Sequence, residues 1–255
     1  NVIYGDTDSI FTEIENDDIV KKVTVDLNKK LSDYLSENYK IKDIIISIEY
    51  EKKFRKFLML DKKRYCGHLV EIDEKKVDSI YSKGTENVRK DTIEFTRKKF
   101  IECLESILRN DKDLDYMIDW LIKLKKFVFE ENITGTDLSI SKKVSKPISE
   151  YKSKPPHIRL AEKMIKAKEI PETQKGKHTW GEKIDYIITN NDDKEGLISL
   201  KNFKNEWDRN YYWQVQIYAP IYRLLNVAFP NHDWLQYDEV KLKKQIRKSK
   251  QLKLF

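Results

Sequence analysis

The chain has 255 residues, of which 36% are charged and 39% hydrophobic, so it can bury a core while remaining at the polar end of globular proteins. Fifty Lys and Arg against 43 Asp and Glu leave a formal net charge of +7, which suits a polyanionic partner, nucleic acid first, better than a small anion. No run approaches the roughly 18 apolar residues of a membrane span, the start lacks the regions of a signal peptide, and Cys66 and Cys103 lack the spacing of a disulfide framework or a zinc site; an intracellular protein with no membrane partner is expected.

Residue 1 is Asn rather than Met and runs straight into a strand-like segment, as in a chain entered in the middle. Residues 1–14, NVIYGDTDSIFTEI, read as two strands around a Gly-Asp-Thr-Asp turn, with two carboxylates at the tip. Asp17 and Asp18 are N-cap types, and Ile19, Val23, Leu27, Leu31 and Leu35 recur about every four residues, predicting an amphipathic helix to about Glu37. Residues 44–60 are rich in β-branched and aromatic types and are expected to be a strand, followed by strands in KKRYCGHLVEI and VDSIYSKG. The first 85 residues are therefore a β-α-β-β-β pattern.

After Gly84 helical spacing takes over in TENVRKDTIEFTRKKFIECLESILRN and in DLDYMIDWLIKLKKFVFEEN. A basic, Ser-containing stretch over 139–157 precedes a helix in IRLAEKMIKAK that ends before Pro171, and a strand is expected over 183–189. A long helix from Trp207 to Phe229 is expected to kink at Pro220 and to bury its aromatic residues Tyr211, Tyr212, Trp213 and Tyr218 as core. A basic tail follows from Lys241.

Phosphoryl transfer to a hydroxyl is accelerated by two divalent ions about 3.5–4 Å apart, held by carboxylates on rigid backbone. Asp6 and Asp8 on a hairpin tip could supply such ligands; by spacing alone, however, a solvated surface turn is the better explanation of two such acids.

The string Tyr4-Gly5-Asp6-Thr7-Asp8-Ser9 resembles the YGDTDS signature of the third polymerase motif of family B DNA polymerases. Lys62-Lys63-Arg64-Tyr65 is similar to that family's KKxY motif, and Lys83-Gly84-Thr85-Glu86 with Val88-Arg89-Lys90-Asp91 to its KGxExVRRD, in the same order. Pro156-His157-Ile158 and the segment from Gly181 to Ile187 resemble thumb segments of the archaeal branch. The resemblance, to an archaeal-like or viral member, implies an α+β fold: a partial palm of β-hairpin, helix and antiparallel strands over 1–85, a mostly helical thumb over 86–240, and a basic tail over 241–255.

It also implies roles. Asp8 would ligate both catalytic Mg2+ ions and Asp6 would support or intermittently ligate one, while a side chain in place of Gly5 would crowd the primer end. Glu49 and Glu51, set on one face of the expected strand by its period of two, would assist a peripheral third metal; their other reading is as partners for Lys52 and Lys53. Thr7, Lys62, Lys63, Arg64 and Tyr65 would meet primer-template DNA, with Lys63 and Tyr65 on the strand face favoured for contact in the minor groove, whose acceptors allow pair geometry to be sensed without reading sequence. Lys83, Gly84 and Arg89 would continue the grip on primer phosphates. The thumb lysines Lys142, Lys143, Lys146, Lys152 and Lys154, with His157 and Arg159, would follow duplex phosphates.

The family's other metal-binding aspartate (motif A) and its nucleotide-gripping residues (motif B) are absent from these 255 residues. The resemblance therefore implies a chain that is inactive alone and is completed by an N-terminal polymerase portion carrying both motifs, with dNTP as substrate. It would be either a split-polymerase subunit or a piece of a continuous polymerase; a non-catalytic DNA-binding accessory module is the reading of a different class. Gln251-Leu252-Lys253-Leu254-Phe255 partly resembles a sliding-clamp box without its second aromatic. Cytoplasm or nucleoid is the expected location for an archaeal or prokaryotic viral member.

Overall fold

A computed structural model describes residues 1–14, 16–41, 43–169 and 183–237. It divides into two compact units, one of Asn1–Phe57 with Gly67–Tyr81 and one of Leu58–Cys66 with Ser82–Phe255. The fold is α+β, as the sequence predicts.

In the first unit, β1 (Val2–Gly5) and β2 (Ile10–Thr12) form a two-stranded antiparallel sheet with Gly5 opposite Ile10 and Tyr4 opposite Phe11. The register shifts between Val2 and Tyr4, a bulge. Rings fix one face: Tyr4 lies 5.7 Å from Phe11, and Phe11 stacks 5.2 Å from Phe57. Helix α1 (Asp17–Tyr39) is capped by Asn16, whose side chain accepts from the Asp18 N–H at 2.9 Å, so the cap lies one residue before the aspartates expected to supply it. Its end is set by Lys40 at φ 58. Asn28 anchors the helix by giving its amide to the Ile48 carbonyl at 2.8 Å and accepting the Ile48 N–H at 2.7 Å.

The strand expected over 44–60 is shorter: 44–51 is irregular, and β3 spans Lys52–Asp61. With β4 (Arg64–Ile72) and β5 (Lys75–Lys83) it makes a three-stranded sheet in that order, and the two-residue connections make it antiparallel. Asp73 and Glu74 both take positive φ, 48° and 61°, the geometry whose twist matches a hairpin.

In the second unit, α2 (Glu94–Leu104) passes into a π-helical turn at Glu105–Arg109, and α3 (Leu114–Glu130) starts from Asp113, which accepts the Tyr116 N–H at 2.9 Å. A short α4 (Gly135–Leu138) leads into β6 (Ile140–Lys143). This strand lies within the basic stretch 139–157, where the sequence reading places no element: β6, β7 (Lys183–Ile188) and β8 (Leu197–Ser199) form an antiparallel sheet, with Ile140 opposite Tyr186 and Tyr186 opposite Ser199. Between β6 and β7 lies α5 (Pro156–Lys166), with Pro156 in the first turn where its missing N–H costs nothing. Gly181 and Glu182, and the tail with its clamp-like end, lie outside the described residues.

The final helix is continuous from α6 (Arg209–Tyr211) through a π-helical stretch, Tyr212–Tyr218, into α7 (Ala219–Ala228). Pro220 has no N–H for the carbonyl four residues back, Gln216. That carbonyl instead accepts the Thr96 hydroxyl of α2 at 2.8 Å, and Thr96 is fully buried. The wider π turn and this donor absorb the proline, locating the disturbance on its N-terminal side. Tyr212, Trp213 and Tyr218 are buried, as expected of core residues, alongside Phe100, Leu104, Leu108, Leu121 and Leu224, whereas Tyr211 is only half-buried.

Candidate functional site

The sequence-predicted residues fall on two structures, one in each unit. In the first unit, the Asp6–Ser9 loop closes the β1–β2 hairpin, with the Asp6 N–H donating to the Ser9 carbonyl at 2.8 Å. Asp6 is half-buried and its Oδ1 accepts the Thr7 N–H at 2.9 Å; Thr7 and Asp8 are exposed. An added Cβ at Gly5 would meet nothing nearer than the Ser9 carbonyl oxygen at 4.0 Å. Nothing in the described chain therefore requires glycine there.

The hairpin offers hard oxygen donors, as a divalent cation of the Mg2+ type requires. Two carboxylates are fewer than a closed site needs, and among the described residues no group of three or more His, Cys, Asp and Glu is placed to hold a metal ion. Glu49 and Glu51 do not complete one. Because β3 begins at Lys52, the alternation that would set them on one strand face does not operate. Glu49 accepts from the Ser47 hydroxyl at 3.3 Å, and exposed Glu51 pairs with Lys52.

The second structure is the turn joining β3 to β4. Lys62 and Lys63 are not strand residues on opposite faces: both are exposed in the two-residue turn, with Lys63 at φ 60. Only Arg64 and Tyr65 enter β4. Tyr65, favoured for facing DNA, is 3% exposed, and the Lys83 ammonium lies 5.8 Å from its ring centre. Gly84 follows with φ +66, and a Cβ there would meet the Lys63 carbonyl oxygen at 2.3 Å. The two sequence motifs thus touch backbone to backbone, and glycine at 84 is what allows it.

Arg64 donates its Nε to the Gly84 carbonyl at 3.2 Å and pairs through Nη2 with the buried Glu86 carboxylate, which also accepts from Arg223 of α7 at 2.6 Å. Arg89 forms a two-pronged pair with Asp91 at 3.1 and 3.0 Å, and Lys142 reaches the same carboxylate at 3.2 Å. Hydrogen bonding from Arg89, then from Lys142, outweighs partial burial and holds the Asp91 carboxyl far below the usual carboxylate range; the same bond raises the Arg89 guanidinium.

Farther on, Lys146 lies 4.9 Å from the Tyr151 ring centre and Lys154 pairs with Glu162 at 2.7 Å. His157 stacks edge-on to Tyr151, and burial, aided by Lys142, lowers its imidazole below the ordinary value. Arg159 is half-buried, its Nε lacking a partner. Glu86, Asp91 and Arg223 were missed by sequence reasoning. The first two stand inside the quoted motif and could have been flagged as acids among cations; Arg223 gave no signal, being 137 residues from its partner.

An acid-tipped hairpin carrying YGDTDS, followed by a basic turn locked to KGTE, groups the chain with the nucleic-acid polymerases. The family model for DNA polymerase family B matches residues 1–228, and the chain belongs to that family. It is 28% identical over 239 residues to the DNA polymerase delta catalytic subunit of Oryza sativa subsp. japonica, covering 90% of this chain and 20% of that protein. It is 31% identical over 196 residues to the DNA polymerase catalytic subunit of Saimiriine herpesvirus 2, covering 67% of this chain and 18% of that protein. Among solved structures, the family B DNA polymerase of Pyrobaculum calidifontis shares its fold with a TM-score of 0.58 at 23% identity, over 91% of this chain and 27% of that one. The chain spans about a fifth of the length of the curated relatives it matches. No helix among the described residues is long and apolar enough to cross a membrane.

Proposed function

We propose that the chain is the C-terminal palm and thumb portion of a DNA-directed DNA polymerase, acting as a split subunit or as part of a longer polypeptide. One observation carries the reading: a six-residue polymerase signature lies on a real hairpin whose tip presents Asp6 and Asp8. Bound Mg2+ would lower the barrier to attack of a primer hydroxyl on the α-phosphate of a dNTP by neutralising developing charge. Asp8 and Asp6 would hold the ions, with a further aspartate contributed by the N-terminal portion. The freedom of space at Gly5 supports a reason for glycine that lies outside this chain, namely approach of the primer end to the hairpin.

Partnership with that portion is supported by the hairpin itself. A sheet of two strands is marginal in water, and Val2, Ile3 and Ile10 are at least half exposed on it. Their burial by further sheet and core would supply what two strands lack.

The basic turn supplies the grip. Lys62 and Lys63 at its tip, with Lys83 above buried Tyr65 and with Arg64 beside Gly84, would position primer-template DNA through its backbone and minor groove, and Arg89, Lys154, His157 and Arg159 would add contacts farther along the duplex. Thr7 would lie at the primer end.

Fluorescence anisotropy on a primer-template duplex tests the grip. Affinity should fall steeply with salt, with a log-log slope of about −0.9 for each phosphate neutralised. Absence of binding at 50 mM salt, or binding indifferent to salt, would remove the proposal.

A further inference from the structure

Glu86 is a buried negative charge inside a patch that needs positive charge. It is 3% exposed; its Oε1 accepts from both Arg64 and Arg223, while Oε2 is buried without a partner. The two guanidiniums come from distant parts of the chain, one at the start of β4 and one on α7. Arg64 is further fixed by its 3.2 Å bond to the Gly84 carbonyl, whereas the Arg223 side chain keeps 44% of its surface exposed. Beside them opens a polar cavity of about 250 Å3, lined by Arg64, Glu86, Arg89, Asp91, Gln216 and Arg223.

By charge alone Glu86 weakens the pull of this surface on a polyanion. A buried carboxylate also carries a desolvation penalty that an apolar side chain would avoid. What it supplies is geometry: one oxygen shared by two guanidiniums fixes their spacing and removes the rotamer freedom that each long side chain would otherwise lose on meeting a phosphate.

We infer that Glu86 is a positioning residue for duplex binding and that Arg223 is a further phosphate-contacting residue, held by Glu86 in register with Arg64 so that both address the DNA backbone. The inference rests on the DNA-grip reading above and deepens it, adding a contact from α7 to those of the basic turn.

The test is anisotropy binding of a primer-template duplex across a salt series by the 255-residue chain and by Glu86→Gln, Arg223→Ala and their double variant. Failure of the unaltered chain to bind would defeat the DNA-grip reading itself. Where it binds, positioning and electrostatics predict opposite signs for Glu86→Gln. Positioning predicts binding roughly fivefold weaker, the difference between a charged and a neutral acceptor, although the chain gains a unit of positive charge. Charge alone predicts tighter binding, and tighter or unchanged binding would overturn the inference. Arg223→Ala should reduce the salt slope by about 0.9, and Glu86→Gln should then matter less in that background; equal effects in both backgrounds would also overturn it. If Glu86→Gln does not unfold cooperatively, Arg223→Lys decides: it keeps the charge and loses the planar fork, so weaker binding at an unchanged slope supports positioning, and wild-type affinity refutes it.

Discussion

Replacing Gly84 with alanine tests the junction of the two basic motifs. Its φ of +66 lies in the left-handed region, where a Cβ costs roughly 1–2 kcal/mol. The added carbon would also sit 2.3 Å from the Lys63 carbonyl oxygen, a backbone atom that cannot rotate away. Relief requires shifting the Lys62–Lys63 turn, where Lys63 is already at φ 60, at a further cost of roughly 1–3 kcal/mol for overpacking. The sum is roughly 2–5 kcal/mol, or about 4–20 °C in Tm for a chain of this size. The same shift would strain the 3.2 Å bond from Arg64 to the Gly84 carbonyl, so DNA affinity should fall together with stability. Urea unfolding followed by tryptophan fluorescence reads the stability, with Gly5→Ala as the control. Gly5 has a 4.0 Å clearance, and its substitution should change stability by less than about 0.5 kcal/mol. Equal effects at the two glycines would mean that neither the positive φ nor the Lys63 carbonyl constrains position 84.

Three other expectations follow from buried or paired groups. Thr96→Val removes the donor to the Gln216 carbonyl and should cost about 0.5–1.5 kcal/mol in chemical denaturation, the net worth of one such hydrogen bond; a neutral result would deny that the hydroxyl compensates the proline. The Asp91 carboxyl is held low in the folded chain, so its stabilising contribution is complete above the unfolded value near ~3.9 and is lost as pH falls toward the folded one. The stability gap between the unaltered chain and Asp91→Asn should thus be flat from about pH 8 to 5 and shrink below about pH 4, and a gap unchanged at pH 3 would contradict the Arg89 and Lys142 pairing. Burial pushes the Cys66 thiol up to about 12 and also raises Cys103, so a thiol reagent at pH 8 should label neither in the native chain and both in denaturant; rapid native labelling would contradict their packing.

Local chemistry explains what the sequence discloses and what it hides. The acidic hairpin was legible because turn residues and flanking apolar residues act over a few positions, and the helices because their apolar spacing persists for several turns. Residues 44–51, the first part of the strand expected over 44–60, are irregular although their β-branched residues favour a strand, because propensity records how a side chain fits a sheet rather than whether a neighbouring strand is there. Lys62 and Lys63 read as strand residues by position, yet the charged run from Asp61 to Arg64 between two apolar stretches is itself the turn signal. β6 was concealed by lysines and serines, since a four-residue strand with one buried residue leaves little alternation to detect. The shared Glu86 anchor depends on a tertiary contact between residues 137 positions apart, which no local pattern records.

The role of Asp8 in template-directed synthesis is open to direct measurement. The measurement is primer extension with dNTP and Mg2+ by the chain joined with the polypeptide that supplies the other metal-binding aspartate, comparing Asp8 with Asp8→Asn. Extension is expected from the unaltered assembly, none from the chain alone, and a loss of at least about a hundredfold with Asp8→Asn while duplex binding is retained. Extension at the unaltered rate by the Asp8→Asn assembly would contradict that role.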